Sequence, residues 1–158
     1  MDDFYLTFVQ ALNVNKVRYL VVGGFAVNFH GYNRTTADLD IWISNDSENL
    51  KNVKNAIESI GFEFSELARA ELEADRILSL TDEYSVIELI TRINISQETS
   101  FDEAFAKRKE VVVDSVKISS ISLEDLKKEK AKSKRYKDLD DLSKLEEAEA
   151  YYKRLKKE

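Results

Sequence analysis

The sequence predicts an α+β (α/β mixed) fold, in which a small, mixed, twisted sheet is flanked by helices and followed by a C-terminal helical extension. Short apolar runs such as 19–22 and 86–90 have the length of buried strands, and they alternate with segments of helical periodicity. Towards the C-terminus the periodicity becomes mostly helical. We expect one domain over 1–158, with a core over about 1–95 and a mainly helical extension over about 96–158.

The first part of the chain alternates between helix and strand. Apolar residues at helical spacing predict a helix over 3–12, and the next apolar run ends a strand over 16–22. Helical signals return after Gly24 and stop near Gly31. Alternating polar and apolar residues then predict a second strand over 38–43.

The middle of the chain begins with a well-delimited helix. Ser47 is a suitable N-cap, the apolar positions end at Ile60, and Gly61 follows where a left-handed C′ residue is needed. We expect a strand over 62–64 and a loop or short helix over 68–75.

A hairpin and a connection come next. Segments 76–80 and 85–91 are predicted to be antiparallel strands joined around Asp82 and Glu83. The polar segment 95–100 then connects this hairpin to the rest of the chain.

Helices and a second hairpin account for the C-terminal part. Ser100 opens a capping box, and Ser122 has the same place before another helix. Between them, apolar residues predict a small hairpin with strands over 111–113 and 116–121. A long amphipathic helix follows from Asp138. Its apolar face comprises Leu139, Leu142, Leu145, Ala148, Tyr152 and Leu155.

Composition excludes several classes of function. The chain has no cysteine, which excludes disulfides, zinc ribbons and thiol nucleophiles. Its single histidine argues against His-based metal clusters and a Ser-His-Asp triad, and it leaves carboxylates as the natural metal ligands. The chain starts without a basic segment or a long apolar run, so we expect no signal peptide, no membrane span and a cytoplasmic location.

Charge is unevenly distributed along the chain. The net charge is −6, yet the run 127–137 carries seven Lys or Arg against one Glu. An acidic protein is not typical of non-specific nucleic-acid binding, so nucleic acid is a possible but not a favoured partner. The basic run could face phosphates, or it could be a solvated helix face rich in lysine.

Three carboxylates form the candidate catalytic and metal-binding set. Asp38 and Asp40 stand at i and i+2 on a strand, so their side chains share a face and their Cα atoms lie roughly 6.5–7 Å apart. That spacing allows both to bind one hard divalent cation. Glu88 lies within an apolar strand, where burial is costly unless a partner such as a metal offsets its charge. Two metal ions held in this way can bracket a phosphorus under attack.

Simpler explanations exist for the same residues. The two aspartates could belong to an ordinary Asx turn at a strand end. Glu88 could face solvent on an edge strand, or form an ion pair with Arg76 or Arg92. The glycine pair upstream of the aspartates favours the catalytic interpretation.

The other candidate residues would bind phosphate. Gly23 and Gly24 close a strand and open a helix, and without Cβ atoms they allow the backbone to approach a phosphate. Arg34 could bind a phosphate as a bidentate donor or order its own loop, and Thr36 could form a hydrogen bond near the metal. From the basic run, the candidates are Lys130, Lys134, Arg135 and Lys137, which could instead bind RNA or an acidic partner surface.

Two further residues are expected to have structural roles. We expect His30 to be a hydrogen-bonded residue at the end of a helix. We expect Trp42 to pack in the core at the far end of its strand, although it shares a face with the two aspartates.

These motifs resemble those of a known superfamily. Gly23 and Gly24, thirteen intervening residues and then DLDI at 38–41 resemble the signature of the polymerase-β-like nucleotidyltransferases. The likeness is greater to the small prokaryotic branch that includes AbiEii-type toxins and minimal nucleotidyltransferases of toxin–antitoxin and resistance systems. It extends to the later segments IELITRI and FDEAFAKRKEVVV and to the run 130–142.

The resemblance implies a nucleotidyltransferase fold with defined roles. Gly23 and Gly24 would hold the triphosphate of an NTP, with ATP favoured. Asp38 and Asp40 would bind Mg²⁺, and Glu88 would be a third ligand able to accept a proton. Two positions depart from the superfamily pattern, because Gly24 stands where Ser is frequent and Glu88 where Asp is usual.

The predicted function is transfer of a nucleoside monophosphate from an NTP to an acceptor hydroxyl, with release of pyrophosphate. The acceptor could be a protein side chain, an RNA end or a small molecule such as an antibiotic. An alternative is a binding module with this fold, an antitoxin or partner subunit with weak or no transfer activity, that docks through the C-terminal helix and its tyrosines at 151 and 152. A third is an RNA-binding protein that uses the basic run.

Overall fold

The computed structural model describes residues 1–157. In chain order the elements are α1 (Asp3–Val14), β1 (Tyr19–Val22), α2 (Gly23–Phe29), β2 (Asp38–Ile43), α3 (Ser47–Ser59), α4 (Glu66–Glu73), β3 (Leu78–Thr81), β4 (Val86–Ile90), a 3₁₀ helix (Asn94–Gln97), α5 (Phe101–Ala106), β5 (Lys109–Val113), β6 (Val116–Ser120), α6 (Leu123–Lys132) and α7 (Tyr136–Lys157). Within this part of the chain, none of the helices combines the length and the apolar character that crossing a lipid bilayer requires.

Across the described residues, six strands form one mixed sheet in the order β3-β4-β2-β1-β6-β5. The central strands β1 and β2 are antiparallel, while β4 runs parallel to β2 and β6 runs parallel to β1. The two hairpins, β3–β4 and β5–β6, form the outer parts of the sheet. This architecture confirms the predicted α+β fold, and it brings β5 and β6 into the same sheet as the earlier strands.

The register of the central strands determines which residues meet. Parallel pairing of β2 and β4 places Asp40 directly opposite Glu88. On the other side of β2, antiparallel pairing places Val22 opposite Asp40, so the chain enters Gly23 next to this aspartate. The end of β1 and the middle of β2 and β4 therefore converge on one place.

Apolar cores on both faces of the sheet hold this register. On one face, β2 packs against α1 and α3 through a core that includes Phe8, Leu12, Leu39, Ile41, Ile43, Leu50 and Ile57. On the other face, a second core joins the sheet to α2, α5, α6 and α7 through Val27, Trp42, Ala104, Leu126 and Leu145. Trp42 is buried and its Nε1 donates a hydrogen bond to the carbonyl of Thr91 (3.1 Å), which confirms its place in the core.

Two predictions in the middle of the chain need correction. Asp46 rather than Ser47 caps α3, because the Asp46 carboxylate accepts a hydrogen bond from the backbone N–H of Asn49 (2.8 Å). Residues 62–64 form an irregular connection instead of a strand. The predicted C′ residue is confirmed, since Gly61 follows the end of α3 with a φ of +91°.

The C-terminal helix differs most from its prediction. The buried side chains of α7 are Asp138, Asp141 and Leu145, whereas Leu139 and Leu155 of the predicted apolar face are 45% and 48% exposed. Asp138 and Asp141 are buried in the first turns of α7 because they pair with basic side chains of other elements. Leu145, from the middle of the predicted apolar face, is buried as well, and Leu142 and Ala148 are half-buried.

Candidate active site

The site is built around the turn that joins β1 to α2. Gly23 has a φ of +67°, a left-handed conformation that favours glycine. A Cβ atom on Gly23 would lie 2.3 Å from Oδ2 of Asp40, and a Cβ atom on Gly24 would lie 2.3 Å from Oγ1 of Thr36. Both glycines are therefore required by the close approach of β2 and of the loop before it.

A pocket of about 360 Å³ opens beside this turn. Of the eleven residues that the sequence predicts for the site, ten line it: Gly23, Gly24, Arg34, Thr36, Asp38, Asp40, Glu88, Lys130, Arg135 and Lys137. The eleventh, Lys134, is exposed and lies outside the pocket lining. The three carboxylates and the glycine turn thus face the same space, although the residues come from distant parts of the chain.

Negative charge is concentrated at one end of this pocket. Burial, and next the charge of the adjacent Glu88, raise the pKa of Asp40 to about 7, and Asp38 adds a weaker repulsion. Carboxylates in such a position are stabilised by a proton or by a cation. Among residues 1–157, no three His, Cys, Asp or Glu side chains are grouped closely enough to hold a metal ion as they stand.

Basic side chains also line this pocket, and α7 pairs with two of them. Lys130 is buried, with its Nζ 2.8 Å from Oδ1 of Asp138 and 3.1 Å from Oδ2 of Asp141. The Nε of Arg34 lies 2.9 Å from Oδ1 of Asp141. The predicted phosphate-binding cations Arg34 and Lys130 are thus already neutralised by carboxylates of the same chain.

Asp138 has further partners at the rim of the pocket. Arg135 Nε lies 2.8 Å from Oδ2 of Asp138, and the Ser133 hydroxyl donates to the same oxygen (2.6 Å). Although burial alone would raise it, hydrogen bonds from Arg135, Lys130 and Ser133 hold the pKa of Asp138 well below its usual range. Lys137 also lines the pocket, and in the described chain it takes part in no ion pair.

Sequence reasoning missed several residues of this site. Asp138 and Asp141 stand three apart at the start of a helix and directly after a basic run, so their shared face was a usable signal. Ile77 and Ile90 also line the pocket, and Ile77 is 55% exposed. Isolated isoleucines beside short strands carry no such signal.

A smaller cavity of about 150 Å³ adjoins the pocket at the end of β4. Ile93, Asn94 and Glu129 contribute to its lining. The Glu129 carboxylate accepts hydrogen bonds from the backbone N–H groups of Asn94 (3.1 Å) and Ile95 (2.9 Å). Glu129 thereby ties the segment after β4 to α6, next to Lys130.

His30, at the end of α2, lines neither of these two cavities. Its Nε2 is hydrogen-bonded to the carbonyl of Ile121 (2.7 Å).

The whole sequence matches one protein family. A family model described as "Nucleotidyl transferase of unknown function (DUF2204)" matches residues 2–157. The chain belongs to this family. Among curated proteins, no sequence matches this DUF2204 protein.

Solved structures of other nucleotidyltransferases share the fold of this DUF2204 protein. A protein of Thermotoga maritima assigned as a nucleotidyltransferase is 17% identical, with a TM-score of 0.56, and the match covers 98% of this chain and 92% of that one. A nucleotidyltransferase-like antigenic protein of Paracoccidioides brasiliensis is 16% identical (TM-score 0.55; 92% and 77% covered). A third match is the structure of ANT(2")-Ia in complex with adenylyl-2"-tobramycin. Its sequence is 13% identical to this one, with a TM-score of 0.51, and the match covers 95% of each chain. At these identities the matches establish the nucleotidyltransferase fold.

The charge of Asp40 makes the stability of this DUF2204 protein depend on pH. Its pKa is raised in the folded state from an ordinary value of 3.8 to about 7. The folded protein therefore keeps a proton that the unfolded chain releases, and stability falls as the pH rises through this window. We expect Asp40→Asn to be more stable than the wild type at pH 8 without divalent cations, by about 1–2 kcal/mol, and to lose this advantage below about pH 4.

Denaturant unfolding at a series of pH values measures this difference. Asp114→Asn, in the turn between β5 and β6, removes the same charge away from the pocket and serves as the control. An Asp40→Asn variant that is less stable than the wild type at pH 8 would contradict the proposed crowding of carboxylates.

The Asp141 carboxylate, unlike that of Asp40, is expected to stabilise the folded protein. Asp141→Ala leaves Arg34 without its partner and Lys130 with one partner, so we expect the free energy of unfolding to fall by about 3 kcal/mol. The neighbouring Asp140 is exposed, and Asp140→Ala should change the free energy of unfolding by less than about 0.5 kcal/mol. Similar losses for the two variants in chemical denaturation would refute this role of Asp141.

Proposed function

We propose that this protein is a Mg²⁺-dependent nucleotidyltransferase that moves a nucleoside monophosphate from an NTP, with ATP favoured, to an acceptor hydroxyl and releases pyrophosphate. The family gives the class of reaction. The observation that supports the proposal most strongly is the pocket in which Asp38, Asp40 and Glu88 face the Gly23–Gly24 turn.

The carboxylate end of the pocket suits Mg²⁺ by its chemistry. Mg²⁺ prefers oxygen ligands and is commonly held by one or two carboxylates together with substrate phosphates. Burial and the charges of Glu88 and Asp38 raise the pKa of Asp40, and a bound cation would favour its charged form. Asp38, Asp40 and Glu88 would hold the ion. When bound, Mg²⁺ neutralises charge that develops on the reacting phosphate.

The basic residues at the pocket would divide into two sets. Arg34 and Lys130 are neutralised by Asp141 and its neighbours, so we propose that they fix α6 and α7 against the pocket. Arg135 pairs with Asp138 through its Nε, but its side chain is 76% exposed, and Lys137 is also exposed, so we propose that these two reach the phosphate oxygens of a nucleotide. Binding of the nucleotide would then depend on the loop between α6 and α7.

The transfer step needs a proton acceptor and an in-line displacement. We propose that the acceptor hydroxyl loses its proton to Glu88 as its oxygen forms a bond to the α-phosphorus. The bond from this phosphorus to the pyrophosphate oxygen breaks, and pyrophosphate leaves. The side chains of this protein contribute positioning and charge rather than a covalent intermediate.

Exposed apolar side chains on α7 favour a second candidate function. Tyr151 and Tyr152 are 52% and 53% exposed, beside the exposed Leu155. The resemblance to toxin–antitoxin nucleotidyltransferases adds a reason to expect a protein partner. In this second candidate the protein is a partner subunit or antitoxin with weak or no transfer activity, and α7 is its docking surface.

Transfer of labelled nucleotide tests the leading proposal. Wild-type protein is incubated with ATP labelled on the α-phosphate, Mg²⁺, and separated protein, RNA and small-molecule fractions of its own cells. We expect label in one fraction, reduced at least about 100-fold by Asp38→Asn/Asp40→Asn, because charge neutralisation at the phosphate is lost. Asp114→Asn/Asp140→Asn removes the same charge elsewhere and should keep full activity.

The outcomes separate the two candidates. A doubly substituted Asp38/Asp40 protein that transfers label as fast as the wild type would exclude this site as the catalytic one. An inactive wild type that binds a protein partner, and loses it on Tyr152→Ala or Leu155→Ala, supports the binding module instead.

An exchange of side chains tests whether Thr36 supplies the hydroxyl that Gly24 lacks. Oγ1 of Thr36 lies where a side chain on Gly24 would begin, so the two positions compete for one space. We expect Gly24→Ser alone to be the worst nucleotide binder because of this clash, and Thr36→Gly alone to bind about tenfold more weakly than the wild type. The double variant Gly24→Ser/Thr36→Gly should bind better than either single variant. Calorimetry with a non-hydrolysable ATP analogue measures the affinities. If the losses of binding free energy in the two single variants add up in the double variant, the proposed replacement of one hydroxyl by the other is wrong.

A further inference from the structure

Tyr5 lies on α1, a helix to which the sequence assigns no functional role. It is 5% exposed, and its hydroxyl donates a hydrogen bond to the backbone carbonyl of Ala37 at 3.0 Å. Ala37 lines the pocket and directly precedes Asp38. The hydroxyl of Tyr5 thus contacts the backbone at the start of β2, one residue before the first carboxylate of the site.

The same hydroxyl also meets the start of β4. The backbone N–H of Val86 and the side chain of Ser85 lie near this hydroxyl, whose hydrogen bond is to Ala37. Val86 is paired with Asp38 in the parallel register of β2 and β4. The phenol group therefore lies at the starts of the two strands that carry Asp38 and Glu88, and it is bonded to the first of them.

A second contact fixes α1 against β4. The side chain of Asp2 is hydrogen-bonded to the hydroxyl of Ser85 and also accepts the backbone N–H of Tyr5 (3.0 Å). Asp2 is the N-cap of α1, so the first turn of this helix is attached directly to the start of β4. The position of Tyr5 is thereby set by the backbone as well as by its own side chain.

The ring of Tyr5 contacts the remaining part of the site. It packs edge-to-face against Phe25, with ring centroids 5.5 Å apart and an interplanar angle of 78°. Phe25 follows Gly24 in the first turn of α2. Tyr5 is consequently in contact with the glycine turn, with the aspartate strand and with the glutamate strand.

We infer that Tyr5 is a positioning residue of the proposed active site. Its hydroxyl holds the start of β2 against the first turn of α1, which Asp2 ties to the start of β4, and its ring packs on the first turn of α2. The inference rests on the proposed function for its effect on catalysis. Displacements of catalytic groups by about 1 Å can cost about 100-fold in rate, so a single hydrogen bond that sets their separation has a measurable effect.

Tyr5→Phe removes the hydroxyl and keeps the ring, and Tyr19 provides a matched control. Tyr19 is also buried, and its hydroxyl donates to Oδ1 of Asn13 (2.9 Å). It is paired with Ile43, at the end of β2 remote from Asp38. Each substitution deletes one buried hydroxyl, so general losses of stability should be similar in the two variants.

Steady-state kinetics of the labelled transfer and hydrogen exchange form the test. We expect Tyr5→Phe to lower kcat about tenfold with KM for ATP changed less than about twofold, and Tyr19→Phe to change neither. We also expect faster exchange of backbone amides over 36–40 and 85–88 in Tyr5→Phe, but not in Tyr19→Phe.

The outcomes distinguish this inference from the proposed function. If the wild type is active and Tyr5→Phe keeps its kcat, the positioning role is overturned while the proposed function stands. If the wild type is inactive, the proposed function fails, and hydrogen exchange alone tests the inference. Unchanged exchange rates of the amides over 36–40 and 85–88 in Tyr5→Phe would then overturn it. Faster exchange throughout the chain in both variants would assign Tyr5 a general structural role and overturn the inference.

Discussion

The parallel register of β2 and β4 is the constraint on which the site depends, because it places Asp40 opposite Glu88. Burial and the neighbouring charge of Glu88 both oppose ionisation of Asp40, and they raise its pKa to about 7. The register is held from outside the site by the apolar side chains of Leu39 and Ile41, which alternate with the aspartates. A slip of one residue would bury both aspartates in that core and expose the apolar residues, so the core specifies the site.

The basic side chains of the pocket are paired mainly with carboxylates of α7. Lys130 and Arg34 could have been placed against the carboxylates of β2, but they are paired with Asp138 and Asp141 at the start of α7. The helical part is thereby neutralised internally, and the carboxylate end keeps its excess of negative charge. A nucleotide would enter such a site favourably only together with a cation, which is the usual form of a nucleoside triphosphate substrate.

Patterns local in the sequence predicted most of the strands, the glycine turn and the three carboxylates, because each depends on spacing within a few residues. Partners distant in the chain could not be predicted in this way. Arg34 meets Asp141 across 107 positions, and Tyr5 meets Ala37 only because α1 folds over the start of the sheet. The burial of Asp138 and Asp141 beside Leu145 on α7 could not be predicted for the same reason, since it depends on ion pairs with other elements.

Gly24 and Thr36 compete for one space at the pocket. The hydroxyl of Thr36 lies 2.3 Å from where the first side-chain atom of a larger residue at position 24 would be, and both residues line the pocket. The loop before β2 has therefore closed over the turn and fills the space of the missing side chain. With only 13–17% identity to the solved nucleotidyltransferases, the groups that face the pocket are better compared by their positions in space than by their positions in the sequence.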